Sequence, residues 1–353
     1  MPKILGLIAA SASAFLAVPA SADSLASEAA RSGQAWPMGQ VSPEPRIPPS
    51  EADLPTFVAK PWFSLDDKTP ALGGKGGKVI LEGPAFDKQG NLLFVDCVTG
   101  RILRLSPNRE LTTVLSDNPS GIAGIAIHPD GRIFVAGFTD PADGGTVFTI
   151  KPDGSGKQVI IEPSAGYVPD DIAIDSEGGF YFSDMRGDTA ELTGGVLYVA
   201  PDMKTVTPLL TGMSLANGVA LSPDHKILWA TETGRGILHR IDLATPGKIA
   251  PYGATFAYHF TAAKVDSLRS DERGNLYAAL YSEGRVLVFD PRGVPIGQIL
   301  IPDREQGEFL GTTSMAIEPG SGAVYIVAHD RDGRRARIYR AELTGDFSKP
   351  ARR

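Results

Sequence analysis

Residues 81–90 read Leu-Glu-Gly-Pro-Ala-Phe-Asp-Lys-Gln-Gly, and Asn-Leu-Leu-Phe-Val-Asp follows at 91–96. A short apolar run enters a turn carrying Asp and Gly, and a second apolar run leaves it, which is the pattern of two antiparallel strands. The phrase recurs as AGIAIHPDGRIFVAG from Ala123, DDIAIDSEGGFYFSD from Asp170 and NGVALSPDHKILWATE from Asn217. It returns as DSLRSDERGNLYAAL from Asp266 and TSMAIEPGSGAVYIVA from Thr313. Aligned on one residue of the second strand (Leu93, Phe134, Tyr181, Leu228, Tyr277 and Tyr325), the copies lie 41, 47, 47, 49 and 48 residues apart. A third strand follows each copy, as in GRILRL from Gly100 and GVLYVA from Gly195. Several short strands repeating every 40–50 residues or so mark a β-propeller. Six copies predict an all-β, six-bladed β-propeller.

The residue that opens the first strand of each copy forms a second column: Glu82, Ala123, Asp170, Asn217, Asp266 and Thr313. The innermost strand of every blade lines the central channel, so these positions converge near one level of its axis. Three carboxylates and an amide then face one another. Uncompensated, three negative charges in a channel would repel and resist desolvation. A cation compensates them, and an oxygen-only set suits Ca²⁺, which accepts irregular shells completed by water more readily than Mg²⁺ does. The column holds no His, which disfavours Zn²⁺.

The ends of the chain read differently. Lys3, the apolar run Ile4–Val18 and Ala20-Ser21-Ala22 predict a signal peptide over residues 1–22, and hence an exported, periplasmic protein with no membrane span after cleavage. Residues 23–60 are rich in Pro, Ser and Ala and predict an extended leader. Within it, the apolar PTFVAKPWF from Pro55 can lend a strand to the last blade, with Trp62 and Phe63 as packing residues. The propeller is expected over 61–345 and a polar tail over 346–353. Removing Lys3 leaves 33 basic against 41 acidic residues, a net charge of −8, which disfavours nucleic acid and anionic membranes as partners. Cys97 is the only cysteine, so no intrachain disulfide is possible, and its apolar neighbours predict an inert, buried thiol. The histidines show no metal spacing; His259 and His329 read as solvated or hydrogen-bonded side chains. There is no G-x-S-x-G and no legible Ser-His-Asp set.

Four stretches carry a resemblance: LEGPAFDKQGNLLFVD from Leu81, PDDIAIDSEGGFYFSDMRG from Pro169, LANGVALSPDHKILWATET from Leu215 and the long run from Val265 to Glu305. Together they resemble the senescence-marker-protein, gluconolactonase and luciferin-regenerating-enzyme family of six-bladed calcium propellers, most closely its bacterial drug-responsive lactonase branch, as in staphylococci. The resemblance covers roughly residues 54–330. It implies one channel calcium held by Glu82, Asp170 (with Asp171 as the neighbouring candidate), Asn217 and Asp266, the last with Ser267 beside it. These are the residues the column had already selected. It also implies a second, structural calcium near IEPSAGYVPDD, where Glu162 and Tyr167 fall near the ligand positions.

The expected activity is calcium-dependent hydrolysis of a lactone, the metal polarising the ring carbonyl and Asp266 moving the proton. Ala123 and Thr313 leave one side of the ion open to a small-molecule lactone or ester and to water. Two alternatives use the same ligands: an organophosphate-type phosphotriesterase, and a periplasmic binding propeller in which calcium is structural.

Overall fold

Apolar and β-branched residues on both faces of the second strand of each repeat leave it no solvated side, so it is stable only between other strands. The computed structural model describes residues 47–66, 78–116, 121–138, 141–261 and 264–343. The expected signal peptide, most of the leader and the tail at 346–353 lie outside these residues. All described residues belong to one unit, 41–353.

Strands β1 (Thr56–Val58) and β2 (Lys60–Asp66) precede the repeats. Four antiparallel four-stranded sheets follow. The first holds β3 (Leu81–Phe86), β4 (Leu92–Asp96), β5 (Arg101–Leu105) and β6 (Leu111–Leu115). The second holds β7 (Gly124–Ile127), β8 (Ile133–Phe138), β9 (Gly145–Ile150) and β10 (Gln158–Ile161). In the third are β11 (Pro169–Ile174), β12 (Phe180–Asp184), β13 (Gly194–Val199) and β14 (Val206–Met213). The fourth contains β15 (Ala216–Leu221), β16 (Ile227–Glu232), β17 (Ile237–Thr245) and β18 (Lys248–His259).

The last two repeats supply β19 (Lys264–Ser270), β20 (Leu276–Tyr281), β21 (Arg285–Phe289) and β22 (Pro295–Leu300), then β23 (Gly311–Ile317), β24 (Val324–His329) and β25 (Arg335–Ala341). They join at one bridge, Tyr281 with Gly311. The N-terminal strands finish both: β1 runs parallel to β22, and β2 lies antiparallel to β25, with Phe63 opposite Ile338. Trp62 stands edge-on to Tyr325 at 4.9 Å between ring centroids, a packing role.

The first strands of the repeats contact one another in sequence, β3 with β7, β7 with β11, β11 with β15, β15 with β19, β19 with β23, and β23 again with β3. This closed cycle surrounds the channel. The core is not central but lies in slabs between neighbouring sheets. Phe134, Phe180 and Phe182 fill the slab between the second and third sheets, and Trp229, Leu268 and Phe289 fill one beside β19. Each such side chain contributes roughly 1.5–3 kcal/mol by leaving water. No helix among the described residues is long and apolar enough to cross a membrane.

Candidate active site in the channel

The column residues open the inner strands, and the backbone there departs from regular pairing. The β3–β4 register shifts between Glu82 and Ala85, β11–β12 between Pro169 and Ile172, β15–β16 between Ala216 and Val219, and β19–β20 between Val265 and Leu268. Three of these shifts span Asp170, Asn217 and Asp266, the fourth begins at Glu82, and the β23–β24 register shifts likewise around Thr313. In β7, where the column residue is Ala123, the pairing with β8 runs without a shift. An extra residue in a strand turns its side chain out of the pleat. The irregularities therefore re-aim the polar side chains at the start of the strands that carry them. The next position is small on most strands because neighbouring backbones nearly touch. A Cβ at Gly124 would lie 2.3 Å from the Asp170 carbonyl oxygen, and one at Gly218 would lie 2.5 Å from the Leu268 nitrogen.

Electrostatics ties the four residues into one site. Burial pushes the Glu82 carboxyl well above the usual range, and the charges of Asp266, Asp170 and Asp171 push it further, against a hydrogen bond from the Gly83 backbone. Burial and Asp171 raise Asp170 to about 7, opposed by Arg269. Asp266, only 3% exposed, is raised well above its usual value by burial and then by Asp170 and Asp171. Hydrogen bonds from the Asn217 side chain and the Ser267 backbone oppose that rise. Asn217 Nδ2 lies 3.7 Å from Met185 Sδ, and its Oδ1 is buried without a partner. A buried oxygen with no donor is the atom that a cation satisfies. The donor set is all oxygen, anionic and under-compensated, and it fits a hard cation. Among the described residues, no three His, Cys, Asp or Glu side chains are gathered closely enough to hold a metal ion as they stand. One of the four members of the set is an amide rather than a carboxylate.

Asp170 and Asp171 differ sharply. Asp171 Oδ2 accepts from Arg269 Nη1 at 2.8 Å and from the Val219 backbone at 3.2 Å, and its Oδ1 accepts from the Ile172 backbone at 3.0 Å. Its lone pairs are committed, whereas among the described residues no hydrogen bond engages the Asp170 carboxylate. Thr313 is likewise committed, donating from Oγ1 to the Leu81 carbonyl at 2.7 Å.

Other residues stand close to the site or away from it. Tyr281, at the end of β20, has its phenol pushed up to about 12 by burial and by the charges of Asp266, Glu82 and Cys97. Cys97 lies just past β4 rather than within it and is only partly shielded from solvent. Burial of its sulfur, together with Glu82, Asp96 and Asp170, keeps it protonated. His259 is exposed, while His329 is 5% exposed and bonds through Nδ1 to the Asp330 carbonyl at 2.7 Å. Its ring lies 5.7 Å from that of Tyr281. Glu162 and Tyr167, the expected ligands of a second ion, lie on the segment between β10 and β11. Glu162 is exposed and caps a short 3₁₀ turn with no side-chain bond. The Tyr167 ring packs against Phe182 and under the Arg186 guanidinium.

Comparison with known proteins places these features in context. Residues 80–307 match the profile described as the SMP-30/Gluconolactonase/LRE-like region. The lactonase drp35 of Staphylococcus saprophyticus is 43% identical over 288 residues, which is 80% of this chain and 86% of that protein. The lactonase drp35 of a bovine strain of Staphylococcus aureus is 44% identical over 285 residues, 80% of this chain and 85% of its own. Among solved structures, regucalcin from Agrobacterium tumefaciens, a calcium-binding protein, superposes with a TM-score of 0.64 at 19% identity, covering 86% of this chain and all of the other. A gluconolactonase from Xanthomonas campestris gives 0.61 at 19% identity, covering 81% of this chain and 98% of the other. At such identities the structural likeness speaks to the propeller fold.

Proposed function

The chain belongs to the SMP-30/Gluconolactonase/LRE-like family, and from that premise we propose that it hydrolyses lactones at the channel tier formed by Glu82, Asp170, Asn217 and Asp266. The observation that carries the reading is this tier of mutually repelling carboxylates with an unpartnered amide oxygen beside them. Those four residues would hold one calcium ion. When bound, it supplies Lewis-acid polarisation of the substrate carbonyl. The closed cycle of inner strands supports reading the propeller as six-bladed.

Asp266 is the proton carrier. A water oxygen bonds to the ring carbonyl carbon, and the carbon–oxygen bond of the ring then breaks. Asp266 takes the proton from that water and returns it to the departing alkoxide. Its carboxylate is oriented by Asn217 and the Ser267 N–H. Glu82 and Asp170 supply negative charge, and Ala123 and the committed Thr313 leave their side of the tier free for substrate. Lys3, the apolar run Ile4–Val18 and Ala20-Ser21-Ala22 support export. The mature N-terminus is expected near Asp23 by intact-mass measurement of the secreted protein, and a retained leader argues against export by this route.

The test is hydrolysis of a small γ- or δ-lactone by the mature protein, after EDTA and again after calcium is restored. Activity is expected to be lost and then regained, and Asp266→Asn is expected to lower turnover by about 10²-fold or more with the fold intact by circular dichroism. A fully active Asp266→Asn variant refutes the proton-carrier role. Absence of turnover in both states, with the protein folded, leaves the phosphotriester hydrolase or the ligand-binding propeller as the reading.

A further inference from the structure

Three residues beyond the metal tier, the inner strands carry Ala85, Ala126, Ala173, Ala220, Arg269 and Ala316. Four of the alanines, Ala85, Ala126, Ala173 and Ala220, line the space there beside the one guanidinium, and Ala316 packs in the core between sheets. The alanines leave the channel wide enough at this level for a single long side chain. Arg269, on β19, uses that room to reach Asp171 on β11, which belongs to a different sheet. Its Nη1 is 2.8 Å from Asp171 Oδ2 and also donates to the Leu268 carbonyl at 2.6 Å. A cavity of about 410 Å³ lies on the far side, lined by Arg269 and four of the alanines but by none of Glu82, Asp170, Asn217 or Asp266. Arg269 thus belongs to the lining of this cavity and is bonded to Asp171, the neighbour of Asp170.

We propose that Arg269 is a positioning residue, the counter-charge of the metal tier: it holds Asp171 out of the coordination set and sets the net charge that the ion meets. This rests on the proposed calcium site. The ion pair explains why two adjacent aspartates on β11 play different parts. Asp171 is fastened on both oxygens, and Asp170 is left free. A fixed positive charge bonded to Asp171, next to Asp170, opposes a divalent ion bound at the tier. The site therefore binds calcium less tightly than its carboxylates alone would dictate.

Three variants test this through calcium affinity, measured by calorimetry with the metal alone: Arg269→Met, Asp171→Asn and the double variant. Arg269→Met is expected to bind calcium at least about fivefold tighter, because the opposing charge is gone. Asp171→Asn is expected to bind it several-fold more weakly, and the double variant to return close to wild type. A merely structural role for Arg269 predicts the opposite sign, since damage to the site only loosens the ion. Arg269→Met binding calcium as the wild type does, or more weakly, overturns the proposal; Arg269→Gln replaces it if the methionine variant does not fold. A wild type that binds no calcium refutes the calcium reading instead. The melting temperature of the metal-free protein then decides for Arg269. It should fall in Arg269→Met and recover in the double variant, and an unchanged melting temperature in Arg269→Met rejects the counter-charge.

Discussion

Glu232 is fully buried and still keeps its charge, whereas Asp266, 3% exposed, and the half-buried Glu82 are driven toward protonation. The difference lies in what surrounds each carboxylate. Burial alone would raise Glu232, but hydrogen bonds from His239, Arg235 and the Ser214 backbone outweigh it and bring its pKa down to about 2. The Ser214 N–H and His239 Nε2 both lie 2.8 Å from its oxygens. Such a network is structural: it is satisfied as it stands and asks for no further ligand. A depressed folded-state pKa means that its stabilisation is complete above the unfolded value of 4.5 and disappears as pH falls toward 2. Glu232→Gln is expected to lose about 2–3 kcal/mol at pH 7, with the gap from wild type narrowing below pH 4.5 in urea unfolding. A constant gap across that range would contradict the assignment. The channel carboxylates are the reverse case, raised by one another and short of donors, which is why they read as a site.

Among the elements, the N-terminal segment is held by a buried ionic cluster as well as by strand pairing. Glu51, 3% exposed, pairs with Arg285 and accepts from Tyr258 Oη at its other oxygen. Arg285 Nε reaches Glu283 at 2.8 Å, and Gln298 donates to Thr56 Oγ1 at 3.0 Å. Removing one member of a buried pair leaves its partner desolvated. Because Arg285 keeps Glu283, Glu51→Ala is expected to cost about 2–3 kcal/mol, below the usual penalty for breaking such a pair. It should also speed hydrogen exchange at Thr56–Val58 ahead of the repeats; exchange rising equally throughout would show that the segment is not a separate unit. Sequence could not reveal this clasp, since Glu51 sits in a Pro-rich stretch and Arg285 lies 234 residues further on. The register shifts were equally hidden. A bulge adds a residue without changing composition, and the apolar alternation around it still reads as a strand.

At the scale of the whole molecule, the repeat carried most of what sequence could reveal. Alignment of six copies placed Glu82, Asp170, Asn217 and Asp266 at one level, because equivalent positions on equivalent strands must meet at the axis. The choice between Asp170 and Asp171 stayed open, since it turns on a guanidinium delivered from β19, far around the ring. The row of alanines with one arginine was present in the same alignment, but small residues carry no chemical label until a channel is seen to need their space. The closure between β2 and β25 has a further consequence, for the order of assembly. A strand synthesised near the beginning must wait for one synthesised near the end, so the finished ring appears only after translation is nearly complete. Contacts this distant in sequence slow folding. Until they form, β25 offers an open edge to any copy of β2, its own or that of a neighbouring chain, and exchange between two chains reproduces the native pairing in a dimer.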